Sequence, residues 1–386
     1  MTYGYPGVYV QETATGPRPI ESVGVSTPAF IGSAPKSSEH TGKPVEINNW
    51  SQFLKEFSDD RPGAAQSTYL SHAVFGFFAN GGRRCIVVDV GGKDPTAPDG
   101  TDARANEIAK ALDALTSDEE VALVAAPGVL DAAVRLAIVD HCRSLRDRVA
   151  LLDGPPAEHD VNEIVKIAKQ VDGGYAALYA PWIEVLDPLA SKRTATFVPP
   201  TGHVAGVIAR IDALRGVHKA PANEVVQGAL SVRRAYAPGE LEIATKEGIN
   251  AIRVFPADYP RIWGARTLAK EGEWRYLNVR RLFIMVRESI QRSMRWVVFE
   301  PNDRTLWNAI KRDIRAFLTR LWREGALMGA SPEEAFFVKC DEETNPPEEI
   351  DAGRVTTVIG LAPVKPAEFV VFKIGQHVGG AEIEEA

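Results

Sequence analysis

Only three cysteines, Cys85, Cys142 and Cys340, are spread over 386 residues, and no CxxC pair occurs. An odd and widely spaced set argues against a disulfide framework and against a zinc site, so buried free thiols are expected. Long apolar runs are missing too. No stretch approaches the roughly 18 residues of a spanning helix, and Met1 to Pro19 is rich in glycine, proline and threonine where a leader would carry a basic flank and an apolar run. The expectation is a product that is cytosolic when made, with no direct membrane insertion.

Catalytic signatures are equally scarce. Gly91, Gly92 and Lys93 are followed by Asp94, without the earlier glycine or the following Ser/Thr that a phosphate-cradling loop needs. Neither GxSxG nor HExxH occurs, and the seven histidines are scattered. Asp89 and Asp153 end apolar runs where ligands bind in parallel-sheet proteins, yet aspartates there more often hold turns and caps. Asp153, His203 and Ser231 follow the chain order of one class of serine hydrolase, but order without geometry carries no weight. No catalytic residue, cofactor or metal site is assigned; a hydrolase stays open as the alternative.

What is present is an ordinary globular composition, 45% hydrophobic and 25% charged, in a chain long enough for two domains. AFIGSAP (29–35) reads as a strand, and 48–57 as a helix with Trp50, Phe53, Leu54 and Phe57 on one face after an Asn49 cap. An apolar helix from Tyr69 stops at Gly81 and Gly82, before a strand over Arg84 to Val90. Helices at 102–115, 131–146 and 161–169 then alternate with the strands VALVAAPG, VALLDGPP and YAALYAP. That alternation means βαβ units and a parallel sheet buried on both faces. TATFVPP (194–200) and NAIRVFP (250–256) add strand candidates around a helix over 203–215.

Near Trp263 the composition turns to arginine and tryptophan. A helix over 279–296 should bury Val279, Leu282, Phe283, Val286 and Ile290 and leave Arg280, Arg287 and Arg295 outward. Asn302 or Asp303 can cap a second helix over 305–324, stopped by Gly325, with Trp307, Ile310, Ile314, Phe317, Leu318 and Leu321 buried. One flank of that helix, Lys311, Arg312, Arg315 and Arg323, is purely basic. FFVK (336–339) and RVTTVIGLAPV read as strands, and EFVVFKIGQ is an isolated strand pattern beyond Pro363 and Pro366.

The net charge of −7 gives no reason to expect a nucleic-acid partner. Its distribution says more. Residues 261–330 carry fifteen basic and seven acidic side chains, and 331–386 carry four and twelve. Neighbouring segments of opposite sign are either two solvated faces or complementary surfaces of a polymer. Gly7 to Glu12, GVYVQE, is a short strand between Gly/Pro-rich stretches that cannot build a core and reads as an arm that pairs elsewhere.

The strings themselves add a further reading. WRYLNVRRLFIMVRESIQRSMRWVVFEPNDRTLWNAIKRDIRAFLTRLWREGALMGASPEEAFFVKCDEETN, with PAEFVVFKIGQ near the end, closely resembles the C-terminal domain of contractile phage-tail sheath proteins. PGVYVQE, VFGFFANGGRRCIVVDV, FVPPTGHVAGVIARIDALRGVHKAPANE and GINAIRVFPADYPRIWGARTL extend the resemblance over nearly the whole chain.

The resemblance implies an α/β fold, α+β overall. Residues 1–20 would be an N-terminal arm, 21–262 a doubly wound subtilisin-like domain, 263–362 a C-terminal α+β domain, and 363–386 a C-terminal arm and tail. It implies a non-enzymatic subunit that polymerises around an inner tube from a baseplate, is held extended, then contracts. Partners would be further copies, the tube protein, the baseplate and a terminator or cap. Assembly would occur in the bacterial cytoplasm, for a phage tail or an injection particle. Val8, Tyr9, Val10 and Gln11, and Phe369, Val370, Val371, Phe372, Lys373 and Ile374, would add strands to neighbouring subunits. Gly16, Pro17, Pro19, Pro363 and Pro366 would set the arms' direction, and Lys311, Arg312, Arg315 and Arg323 would contact the tube or another subunit. A sheath from a recycled secretion system of related design is the second alternative.

Overall fold

The computed structural model describes residues 19–36, 40–58, 66–92, 105–156, 161–171, 173–256, 258–270 and 272–369. Its largest element is a nine-stranded mixed sheet. The strands are β1 (Pro28–Gly32), β2 (Pro44–Ile47), β3 (Cys85–Asp89), β4 (Leu123–Ala125), β5 (Val149–Asp153) and β6 (Ala176–Ala180), followed by β9 (Glu224–Val225), β11 (Ile249–Arg253) and β12 (Arg261–Ile262). In space they run β2-β3-β1-β4-β5-β6-β11-β12-β9. The six central strands are mutually parallel, and β2, β12 and β9 close the two edges antiparallel.

The central strands are apolar at nearly every position because both faces are covered. Phe30, Val87, Leu123, Leu151 and Tyr179 point to one face, against α2 (Tyr69–Ala79) and α6 (Thr201–Arg215). Ile31, Val88, Val124, Leu152 and Leu178 point to the other, against α3 (Ala105–Ala114), α4 (Ala132–Leu145), α5 (Val161–Gln170) and α7 (Pro238–Lys246). The short α1 (Trp50–Phe57), capped by Asn49, contributes Phe53 and Phe57 to the first face. Helices α2 and α6 approach closely because glycine faces side chain: a Cβ on Gly202 would sit 2.2 Å from the Ala73 Cα, and one on Gly76 would meet the His203 ring.

Several elements differ from the sequence reading. The edge strand β2 and helix α7 were not expected, being short, polar on their outer sides and next to glycine and proline. Residues 194–200 do form a strand, β8 (Ala195–Val198). It forms one edge of a separate three-stranded antiparallel sheet, paired with the central β7 (Ile183–Leu186), in the order β10-β7-β8, with β10 at Ala229–Val232.

Beyond β12 the chain forms α8 (Leu277–Ser293), α9 (Arg304–Arg323), the single turn α10 (Pro332–Ala335), and a two-stranded antiparallel sheet. That sheet pairs β13 (Phe336–Lys339) with β14 (Val358–Leu361), with the five-residue α11 (Pro347–Asp351) in the connection. The core under the α2–α6 face continues without a break into Leu282, Met285, Trp307, Ile314, Phe317 and Phe336.

This continuity corrects the reading of α8. Arg280, expected outward, is only 8% exposed, with its guanidinium 3.6 Å from the Trp274 ring and 4.2 Å from the Tyr175 ring. The helix is buried nearly all round because Gly174, Tyr175 and Trp274 cover Arg280 while Asp212, Val25 and Val23 hold Arg281 and Ser289, so a one-sided stripe understates its contacts. Arg287 is exposed and Arg295 is largely exposed, as the periodicity indicates.

Candidate assembly interface

Helix α9 presents the clearest candidate surface. Asp303 accepts from the Leu306 amide to cap its start, and Gly325 at φ +79° follows its end. Trp307, Ile310, Ile314, Phe317, Leu318 and Leu321 are buried, as their spacing requires. Arg312, Arg315 and Arg323 stand exposed on the opposite side. Arg312 Nε reaches Asp313 at 3.0 Å, and Arg315 approaches Glu333 at 3.6 Å. The Arg315–Glu333 pair is exposed on both sides and contributes little to stability, whereas Arg312 neutralises a buried Asp313 carboxylate. Lys311 departs from the set: it is half-buried, with its amine 3.5 Å from the Cys340 carbonyl.

The β13–β14 ladder lies beside α9. Phe336 and Val338 turn inward and are buried, whereas Phe337 is 55% and Val358 43% exposed on the outer face. Phe337 covers Gly360 directly opposite, where a Cβ would fall 2.1 Å from its ring. Two strands leave two outer edges. An edge of unpaired N–H and C=O groups is a template for another strand.

The segments leading to both ends of the chain are pinned on and around α8 and α9 by side chains that the sequence reading did not select. On the N-terminal side, the Val23 amide donates to Ser289 Oγ at 3.0 Å and Arg320 donates to the Ile20 carbonyl at 2.6 Å. Arg281, 1% exposed, pairs with Asp212 and donates to the Val25 carbonyl at 2.7 Å. On the C-terminal side, the Val364 amide donates to the Ala326 carbonyl at 3.2 Å. Asn278 donates to the His218 carbonyl at 2.7 Å and to that of Val364 at 3.4 Å. Glu368 accepts from Arg266 Nε at 2.9 Å and from the Tyr276 hydroxyl at 3.2 Å. Only long-range geometry identifies these residues; a buried arginine in an arginine-rich helix has no distinguishing local signal.

Of the expected arm residues, Phe369 is the last one described and is 74% exposed. Val8, Tyr9, Val10 and Gln11, and Val370, Val371, Phe372, Lys373 and Ile374, lie outside the described residues. So do Gly16 and Pro17, whereas Pro19 is exposed and Pro363 and Pro366 are half-buried at the C-terminal root.

The aspartates at strand ends hold turns. Asp89 accepts from the Ala34 and Gly91 amides and from Thr41. Asp153 accepts from the Gly128 amide and from the amide and hydroxyl of Thr201, fixing the start of α6. Burial nevertheless pushes its carboxyl up to about 7, against the pull of those three hydrogen bonds. Ser231 donates to Glu184 at 2.6 Å. His203 is packed against Gly76, and burial, reinforced by nearby His72, holds its imidazole down at about 3. Asp153 and Ser231 therefore serve other partners, the buried His203 Nδ1 bonds neither of them, and the three do not assemble into a catalytic relay. Cys85, Cys142 and Cys340 are free and buried. Among the described residues no cluster of three or more metal-ligating side chains occurs, and no helix is long and apolar enough to cross a membrane.

Comparison with known proteins agrees with this surface-centred picture. Residues 100–268 match the phage tail sheath protein central domain, and residues 269–376 match the phage tail sheath C-terminal domain. A putative prophage major tail sheath protein of Pseudomonas aeruginosa (strain UCBPP-PA14) is 26% identical over 257 residues, 65% of this chain and 64% of that protein. The tail sheath protein of Vibrio phage KVP40 is 28% identical over 182 residues, 45% of this chain but only 26% of the relative. The chain therefore matches less than two thirds of the length of these relatives. Among solved structures, the sheath complex of the extracellular contractile injection system PVC in its contracted state superposes with a TM-score of 0.79 at 29% identity, covering 98% of this chain and 99% of that one. A chain of the anti-feeding prophage baseplate gives 0.78 at 28% identity, covering 98% and 100%. With consecutive central and C-terminal domain matches and near-complete structural overlap with a contractile sheath, the chain belongs to the phage tail sheath family.

Proposed function

We propose that the protein is the sheath subunit of a contractile particle, polymerising helically around an inner tube and shortening to drive that tube through a target envelope. The observation that carries this reading is the full-length likeness to the PVC sheath complex in its contracted state. It is supported by a two-stranded sheet beside α9 whose outer edges are paired by no other strand among the described residues, and by terminal segments anchored on α8 and α9.

In this reading the arms, Val8–Gln11 and Phe369–Ile374, add strands to β13–β14 sheets of neighbouring copies. Backbone pairing links subunits while leaving them free to rotate, and a head-to-tail contact that does not close generates an open helix. Arg312, Arg315 and Arg323 face the tube or an adjacent copy; Lys311, half-buried, stands at the margin of that surface. The chain divides at Trp263 into a subtilisin-like α/β layer and a C-terminal domain, sharing one core. The polymer starts on a baseplate, ends at a terminator or cap, and is assembled in the bacterial cytoplasm. Contraction draws on the difference between two packings of one subunit, a few kcal/mol each and summed along the polymer, with the extended form held by a kinetic barrier.

Negative-stain microscopy of the purified chain, alone and with its tube protein, tests the reading. Striated hollow cylinders are expected. Deleting residues 369–386 should leave folded subunits that form no cylinders. Monodisperse particles from the intact chain under both conditions would overturn the sheath assignment, and cylinders from the truncated chain would overturn the C-terminal arm's role.

A further inference from the structure

Phe299 lies in the connection between α8 and α9 at φ +69°, a left-handed conformation that a bulky residue seldom adopts. Its side chain is fully exposed, and Val298 beside it is 63% exposed. The connection is not slack. The Glu300 amide donates to the Val297 carbonyl at 3.2 Å, Asn302 donates to the Arg354 carbonyl at 2.9 Å, and Trp307 Nε1 donates to Asn302 at 2.8 Å. A strained backbone therefore holds an aromatic ring out in water on a fixed support. Strain of this kind persists where the surroundings enforce it and is concentrated at functional positions.

A matching hollow exists on the same chain. A cleft of about 580 Å³ opens between β11–β12, the loop after α6 and the C-terminal root, with Ala220, Ala222, Ile249, Trp263, Ala265 and Pro366 among its walls. That volume is in the range of pockets that bury a small-molecule-sized group, room enough for both a Phe and a Val side chain. Trp263 is 42% exposed, and the nearby Val254 and Tyr259 are 43% and 67% exposed. Arg253 spans this flank, 5.5 Å from the Trp263 ring. The cleft adjoins the start of α8, where the Leu277 amide donates to the Ala265 carbonyl at 2.9 Å. Phe299 follows the other end of α8, about 25 Å away for a helix of this length.

We propose that Phe299 and Val298 of one copy seat in the Trp263-lined cleft of a second copy. A projection and a hollow at opposite ends of one helix cannot satisfy each other within a subunit. Between subunits they form a heterologous, head-to-tail contact, the kind that propagates into an open helix. This rests on the sheath reading, since it requires many copies in register. The contact is separate from strand exchange at β13–β14, and it places an apolar anchor where exposed aromatic surface would otherwise face solvent.

The test uses two single variants of the full chain, Phe299→Cys and Ala222→Cys, mixed and assembled with the tube protein, then treated with a short bismaleimide. The native cysteines are all buried and stay out of the reaction. A covalent heterodimer is expected in cylinders and not in unassembled subunits. A second variant, Phe299→Gly, suits the left-handed backbone. It should leave the subunit's melting temperature unchanged or higher while raising the concentration needed for assembly by about tenfold or more. Cylinders in which no 299–222 link forms, a link from position 299 to the tube protein, or wild-type assembly by Phe299→Gly would each overturn the contact and leave the sheath reading intact. Failure of the unmodified chain to form any cylinder would remove both.

Discussion

The Ser289 hydroxyl accepts the Val23 amide proton at 3.0 Å, joining residues 266 positions apart, and itself donates to the Met285 carbonyl one turn back along α8 at 2.6 Å. Ser289 is fully buried. Replacing it by alanine leaves a partly buried amide without this acceptor, at a cost of about 1–2 kcal/mol. Ser289→Ala should lower the melting temperature modestly and speed hydrogen exchange at Val23, while amides of β5 keep their protection. Unchanged exchange at Val23 would show that the hydroxyl does not hold the segment.

Arg281 is a harsher case. Its removal strands the Asp212 carboxylate, whose side chain is 10% exposed, and the Val25 carbonyl. Breaking a buried pair from one side costs about 3–5 kcal/mol, because the remaining charge is uncompensated. Arg281→Met is expected to fall in that range by urea denaturation. Adding Asp212→Leu should recover most of the loss.

Stability should fall on mild acidification. Burial holds His72 down at about 4, with nearby Asp187 opposing the shift, and holds His203 down at about 3, against 6.5 for an unperturbed imidazole. Below pH 6.5 the unfolded chain binds protons at these positions and the folded chain does not. Their contribution is therefore complete above pH 6.5 and is lost as pH falls towards 4. Asp153 works the other way. Its carboxyl, raised to about 7 from 3.8, takes up a proton in the folded chain over the same interval. Burial also lowers His141, to about 4, and His218, and raises Glu288, so four imidazoles outnumber two carboxyls and the midpoint of thermal unfolding should drop between pH 6.5 and 4.5. His203→Gln should flatten that slope; an unaltered slope would exclude this origin.

The exposed cations of α9 make the opposite kind of prediction. Arg315→Glu and Arg323→Glu should each change subunit stability by no more than about 0.5 kcal/mol, the usual range for exposed positions, whereas Arg312→Glu, added to make the triple variant, should cost more because it leaves the buried Asp313 carboxylate without its cation. Together the three should abolish assembly on the tube, or between copies. Wild-type assembly should weaken with added salt, because charges across such a surface are screened over about 8 Å at physiological ionic strength. Normal cylinders from the triple variant would show that this face stays in solvent.

How legible these features are in the sequence depends on the range of the interactions that create them. The alternation of helices with strands such as VALLD is a local pattern, and the parallel sheet follows from it. Asp303, Gly325 and the six-residue buried stripe of α9 are readable for the same reason, since caps and periodicity act within a few residues. Arg280 is misread because its burial depends on Tyr175, more than 100 positions away. Strand β2 escapes notice since Pro44–Ile47 buries only Ile47 and gains its place from pairing with β3. The exposed arginines of α9 are visible as a flank. The anchors Asn278, Ser289 and Glu368 are not, because their partners are fixed by the fold and leave no trace in spacing.

Attachment of both terminal segments to a single helix has a mechanical corollary. Val23 hangs from Ser289 and Val364 from Asn278, eleven residues apart on α8, so a pull on one terminal segment reaches the other through about 17 Å of helix backbone. Two further attachments carry the same load into the large domain, Glu368 through Arg266 to Asn250 of β11 and Val25 through Arg281 to Asp212 of α6. Tension on either terminal segment therefore reaches the nine-stranded sheet as well as the other end of α8.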